Sequence, residues 1–157
     1  MEDRDGRLVE VAVGWDSSDD SGPAEWLSAE PLGGSFFRLE SIPFFVYGVN
    51  SGDVLRCVHG AGGLVVQEVV RRGGNGTVRV VVVDHAEDDV TGLVAGWVAR
   101  GLRVESTCAG LLVCVSAPHD EFEDILDELS ACERRVVADW EVACGPFDPV
   151  GPLPAAV

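Results

Sequence analysis

Lysine does not occur in this chain, and all eleven of its cations are arginine. Without lysine there is no P-loop lysine, no Schiff base and no lysine general base, so several chemistries are excluded at once. A GC-rich genome accounts for the choice of arginine without a functional cause. Positive charge of any kind is scarce, since 11 cations face 27 carboxylates for a formal charge of -16. Nucleic acid and anionic lipid are therefore excluded as expected partners, because phosphate binding depends on clustered cations. Long apolar runs are also missing. Charges or glycines interrupt each run well before the ~20 residues that a membrane-spanning helix needs.

Cysteine pairing signals are absent as well. Cys57, Cys108, Cys114, Cys132 and Cys144 are odd in number and include no CxxC pair. The chain opens on MEDRDGRLVEV, with acids where a secretory signal has a basic stretch and then an apolar one. Reduced, mostly buried thiols in a cytoplasmic protein are the expectation. No serine sits in GxSxG, and no His-Glu-x-x-His occurs. Gly60-Ala61-Gly62-Gly63 falls between two strand-like runs and opens no helix, so it is not a dinucleotide fingerprint. No cofactor is expected.

What is present is a core. Hydrophobic residues make up 46% of the chain, enough for one ordinary domain or two small subdomains that share a core. The centre of the pattern is GGNGTVRVVVVD, Gly73 to Asp84, where a glycine turn runs into the most β-prone stretch of the sequence. A run so rich in valine predicts a central strand covered on at least one face. Before it, Arg7 to Trp15 alternates as a half-buried strand, with Val9, Val11 and Val13 on one side. Glu25 to Pro31 and Ser35 to Leu39 are short strands separated by a hairpin-like LGGS. Ile42, Phe44, Phe45, Val46 and Tyr47 form the densest aromatic block, predicted to plug the core. Val54 to Val58 and Leu64 to Val70 form another hairpin. Short strands punctuated by glycine predict a small curved sheet or partly open barrel.

From Thr77 the order changes. Thr77 to Asp84 is a strand, and Asp84 with Glu87 starts a helix in the manner of a capping box. Val90, Leu93, Val94, Trp97 and Val98 give it an apolar stripe, and Arg100-Gly101 ends it. Leu102 to Cys108 and Leu111 to Ala117 are strands joined through Ala109-Gly110. A second helix from Pro118 and His119 carries Phe122, Ile125, Leu126 and Leu129, with acids on its first turns and Arg134 and Arg135 at its end. Val136 to Ala143 closes as a strand with Val136, Ala138, Trp140 and Val142 on one face. The fold class is α+β, a small curved β-sheet or partly open barrel followed by a ferredoxin-like split βαβ (βαββαβ) subdomain. The divisions are residues 7–75, 76–145 and a flexible or extended proline-rich tail at 146–157.

Ile42-Pro43-Phe44-Phe45, Gly52-Asp53-Val54 and Gly74-Asn75-Gly76-Thr77-Val78-Arg79-Val80 are motifs by which the chain resembles a family of small uncharacterised bacterial proteins, a domain of unknown function. The likeness spans most of residues 7–145. In that family the position of Asn75 is often histidine, within a glycine-histidine-serine-threonine turn. Asparagine keeps a hydrogen-bonding side chain and tolerates a left-handed backbone, but it is no base at neutral pH. The resemblance implies a compact fold and no particular activity.

Two places can carry chemistry. In the first, the first and third strands of the second half are read as parallel neighbours about 4.8 Å apart, with both helices leaving from one end. That arrangement brings Asp84, His85 and Asp88 towards His119, Asp120 and Glu123, two imidazoles and several carboxylates of metal-ligand type. The same residues are what two capped helix starts contain anyway, and no metal is the favoured reading. The second place is the turn of Asn75, Gly76, Thr77 and Arg79, whose backbone N–H groups and guanidinium suit an anionic small molecule in a crevice between the subdomains. The alternative is an internal salt bridge from Arg79 to Asp53 or Glu68. Cys57 and His59, two apart on one strand, are expected to face one side, and Cys108 and Cys114 to be packing residues.

Acids cluster at residues 2–5, 16–20, 84–89 and 120–128. They form a solvated surface, or they steer a basic partner protein or mimic a polyanion before it. The leading expectation is a non-catalytic, acidic protein-binding module, of immunity, antitoxin-like or accessory kind. The alternatives are a small-molecule sensor or enzyme beside Asn75, Thr77 and Arg79, and a metal-dependent hydrolase at His85 and His119.

Overall fold

Alternating valines set the inward face of the first strand, and the remaining short strands wrap around it. The computed structural model describes residues 6–14, 24–82, 87–133 and 138–153. The first five strands are β1 (Val9–Gly14), β2 (Ala24–Gly33), β3 (Phe36–Leu39), β4 (Val54–Gly60) and β5 (Gly63–Arg71). Each pairs antiparallel with the next, and the sheet curls until β1 meets β5 in parallel through Val11–Leu64 and Ala12–Val65. Val11, Val13, Leu27, Leu39, Leu55 and Val69 fill the space inside this curl.

The second half contains β6 (Asn75–Val82), α1 (Glu87–Ala99), β7 (Arg103–Thr107), β8 (Leu112–Pro118), α2 (His119–Glu133) and β9 (Ala138–Cys144). Its sheet is antiparallel throughout, in the order β7-β8-β6-β9. Val78, Val80 and Val82 of β6 and Val113, Val115 and Ala117 of β8 point to one face, where Trp97 of α1 and Phe122, Ile125 and Leu129 of α2 cover them. The central strand is thus the one that the valine run announces, because both its edges and this face are taken up by protein. Trp97 also donates its indole N–H to Glu128 at 2.7 Å, and Arg100 bridges Glu121 and Glu128, so part of the acidic face of α2 pins the two helices together. None of the described helices is long and apolar enough to cross a membrane.

Several sequence expectations need correction. The first and third strands of this half, β6 and β8, are antiparallel neighbours, with Asn75 opposite Pro118 and Val81 opposite Leu112. Each helical crossover skips one strand position, and the strand dropped into the gap runs the other way. As a result α1 follows the Val82 end of β6 and α2 starts from the Asn75 end, about 20 Å apart at the ordinary rise of a strand. Val98 is exposed on α1, Val142 is exposed on β9, and Cys108 is an exposed turn residue with a φ of 54°. The aromatic block is only half a plug. Ile42 and Val46 are buried, whereas Phe45 and Tyr47 remain 45% and 50% exposed.

The tail does not run free of the body over residues 146–153. A short strand β10 (Gly151–Pro152) pairs with Glu68 and Val69 of β5, on the edge that β1 occupies further back. Asp84, His85, Arg134, Arg135 and Val136 lie outside the described residues, and so does Trp15.

Gly76 shows how tightly the turn before β6 is packed. A Cβ there would stand 2.4 Å from the Phe122 ring of α2. The Gly76→Ala variant is therefore expected to lose about 1–3 kcal/mol through overpacking, measured as a lower thermal midpoint. An unchanged midpoint would show that Phe122 moves aside freely.

Candidate functional site

The segment between β3 and β4, residues 40–53, lies on the face of the second sheet that the helices leave open. Its backbone is held from both sides. The Glu25 carboxylate accepts the N–H groups of Phe44, Phe45 and Val46 at 2.7, 3.0 and 3.1 Å. From the other side the Arg79 guanidinium donates to the carbonyl of Phe45 at 3.3 Å and to that of Val46. Successive N–H groups that converge on one carboxylate leave their carbonyls facing away from it, where a cation can take them. Phe44, Phe45 and Tyr47 are fixed in consequence at the rim of the sheet.

Arg79 is 4% exposed, and its Nε has no hydrogen-bond partner among the described residues. Its guanidinium carbon lies 4.7 Å from the centre of the Tyr47 ring, within cation–π range. Across the strands it faces Glu141, with Nη1 3.4 Å from Oε1. The Tyr47 hydroxyl donates to the same carboxylate at 2.8 and 3.0 Å, and that hydrogen bond is the main reason its pKa is raised. The carboxylate expected for Arg79, Asp53 or Glu68, is spoken for elsewhere. Asp53 pairs with Arg72 at 2.6 Å and Glu68 with Arg56 at 2.7 Å.

Around Arg79 opens a cavity of about 360 Å³ with aromatic walls from Phe44, Phe45 and Tyr47 and two carboxylates, Asp139 and Glu141, whereas the Trp140 side chain between them packs on the helix-covered face. Alternation along β9 puts residues 139 and 141 on one face of the strand, about 7 Å apart. Volume, apolar walls and a few convergent polar groups are the usual features of a small binding site. The nucleophile type nearest to it, Cys114, sits opposite Arg79 on β8 and is fully buried. Burial pushes its thiol up to about 11, with the Arg79 charge pulling the other way.

The remaining predicted residues do not converge on this cavity. Thr77 is buried and donates to Asn50 Oδ1 at 2.7 Å, while Asn50 Nδ2 donates to the Gly145 carbonyl at 3.2 Å. Gly76 is a packing position under Phe122. Asn75 donates to the Ser51 carbonyl at 2.9 Å and lines a second cavity of about 320 Å³, beside Arg100, Arg103 and Ser116. The crevice between the halves exists there, but Asn75 and Arg79 open onto different spaces.

Asp53 is the hub of the junction. Its Oδ1 accepts the Gly73 N–H at 2.9 Å, and its Oδ2 accepts the Asn50 N–H at 2.8 Å and Arg72 Nη1 at 2.6 Å. Burial nonetheless holds its carboxyl above the usual range, against the pull of those donors. Arg72 also donates to the carbonyls of Gly48, Asp148 and Pro149 at 3.0, 2.9 and 3.0 Å, fastening the tail to the junction. Gly73 has to be glycine here, since a Cβ would stand 2.4 Å from the backbone of Gly52.

The metal arrangement loses its geometric basis with the antiparallel register. His119 caps its position by donating its backbone N–H to Gly74 at 2.9 Å, and its ring stacks 5.6 Å from Phe147. His85 and the side chain of Asp88 fall outside the described residues, and Glu123 is exposed on α2. Cys57 is buried and its thiol is pushed up to about 11, whereas His59 is exposed, so the two do not form a nucleophile–base pair. Sequence reading missed Asp139 and Glu141 as site residues. The available signal was a strand carrying acid, tryptophan and acid in succession opposite an arginine in a valine strand.

A family profile described as Domain of unknown function (DUF4265) matches residues 25–140. The crystal structure of a hypothetical protein from Neisseria gonorrhoeae is similar, with a TM-score of 0.76 at 20% identity, covering 90% of this chain and 98% of that one. At that identity the likeness is one of fold. No curated protein matches the chain.

Proposed function

Because the chain belongs to the DUF4265 family of unknown function, we propose from its own geometry that it is a non-catalytic module that binds another protein, one of basic character. The observation that carries this reading is the cavity walled by Phe44, Phe45 and Tyr47 and edged by Asp139 and Glu141, on a chain of formal charge -16. Aromatic walls with carboxylates at their rim suit a cationic side chain, and the overall charge raises its rate of arrival. The neutral state of Cys114 supports a binding role over nucleophilic catalysis. The second half is read as a ferredoxin-like split βαβ subdomain, supported by the strand order β7-β8-β6-β9 with a helix in each crossover.

Native mass spectrometry of untagged protein purified gently from its own host tests the proposal. The expected result is a mass increment equal to a second polypeptide, lost as ionic strength rises. A bare monomer sinks it. A second reading, a small-molecule pocket at the same cavity, is favoured by the buried, unpartnered Nε of Arg79, which a hydrogen-bond acceptor on a ligand would satisfy. An increment of only a few hundred daltons, on the order of what such a cavity holds, would select that reading.

A further inference from the structure

We infer that an extended, basic segment of the partner adds as a fifth strand along β9 and seats one cationic side chain in the cavity between Asp139, Glu141 and the aromatic walls. The inference rests on the protein-binding reading and says where and how the partner is held.

Among the described residues β9 pairs with β6 alone, so its other edge is the end of the sheet. Sheet ends are normally blunted by lysine, proline or a covering segment. The β9 sequence ADWEVAC contains neither residue. Among the described residues its backbone is covered only near its end, where Gly48 donates to the Ala143 carbonyl at 3.4 Å, so the usable edge is 138–142. That length matches an ordinary strand of about five residues.

Charge complementarity selects the occupant. Asp139 and Glu141 both reach the cavity, where the one cation among the described residues is Arg79, already engaged by the Phe45 and Val46 carbonyls and by Glu141. The balance of these three groups is one negative charge, and Phe45, Tyr47 and Val81 are exposed around them, while Val142 is exposed on the opposite face of β9. A strand that alternates apolar and basic residues lays its apolar side chains on the face of Val142 and its cations at the carboxylates. Backbone pairing supplies affinity, and the aromatic cavity discriminates cationic from acidic segments.

The test uses the full chain, ¹⁵N-labelled, titrated with an acetylated and amidated pentapeptide of alternating valine and arginine. Saturable shifts confined to the amides of residues 139–142 and to Phe45, Tyr47 and Arg79 are expected. The same peptide with alternate backbone amides methylated, or with glutamate in place of arginine, is expected not to bind. Asp139→Asn, an exposed substitution that the fold tolerates, is expected to weaken binding roughly threefold to tenfold. Shifts spread over the acids of α2, equal binding of the methylated peptide, or no saturable binding would each overturn the inference. The two proposals fail separately. A native complex whose partner leaves amide exchange on β9 unchanged overturns this site and keeps the binding module, whereas a bare monomer removes the module itself.

Discussion

Replacing Asp53 with alanine is expected to lower the unfolding free energy by about 3–5 kcal/mol, read as a fall in the urea midpoint at an unchanged m value. Asp53 is 0% exposed, and Arg72, its partner, is 13% exposed. Truncation leaves a largely buried guanidinium without its carboxylate and frees the N–H groups of Asn50 and Gly73. Each loss is expensive because a buried donor left without its acceptor pays its desolvation cost. Arg72→Ala alone removes the clasp on Gly48, Asp148 and Pro149 as well, and leaves the Asp53 charge buried. The double variant should therefore cost clearly less than the sum of the two singles, since each single strands the other's charge. Additive losses would mean that the pair does not act as a unit.

A second large effect is expected on the alkaline side. Burial pushes the thiols of Cys57 and Cys114 up to about 11 and that of Cys144 up to about 12, from an ordinary value of 9.0. In the unfolded chain these groups lose their protons as pH rises past 9.0, while in the folded chain they keep them. The unfolded state then binds fewer protons, so stability falls with rising pH between the two values. At about pH 10 each thiol costs on the order of 1 kcal/mol, and the three together a few kcal/mol, a large share of an ordinary domain's stability. Urea unfolding at about pH 8 and about pH 10 measures the difference, and Cys144→Ala should recover about a third of it. Equal midpoints at the two pH values would show that the thiols titrate alike in both states.

Much of the fold was legible before any tertiary contact was known. Period-two valines over residues 9–13 and 78–82 give strands, and the i, i+3, i+4 spacing of Phe122, Ile125 and Leu129 gives a helix, because both patterns follow from local geometry. The hairpin around Ala61-Gly62 was legible for the same reason, since turn chemistry is local. Strand direction was not. Whether β6 and β8 run parallel or antiparallel depends on the order of all the elements: the helical crossover makes β6 and β7 parallel, and the turn through Ala109-Gly110 reverses β8 against β7. The parallel register from which His85 and His119 were expected to be neighbours is not the one formed, and His85 lies outside the described residues.

The candidate site was legible in one residue. Arg79 stands out because a charge in a valine strand must find a partner, and that much is chemistry. Its partner was assigned to Asp53 or Glu68 because both lie on strands expected nearby, but those carboxylates are held by arginines closer to them. The sequence by itself determined which residues form strands and helices, where the turns fall, which faces are apolar, and that Arg79 would be engaged by acceptors. Only the tertiary structure decided that Glu141, 62 residues away, would meet it under Tyr47. Side-chain type and spacing act over a few residues, whereas a cavity is made by segments that packing and register bring together from opposite ends of the chain.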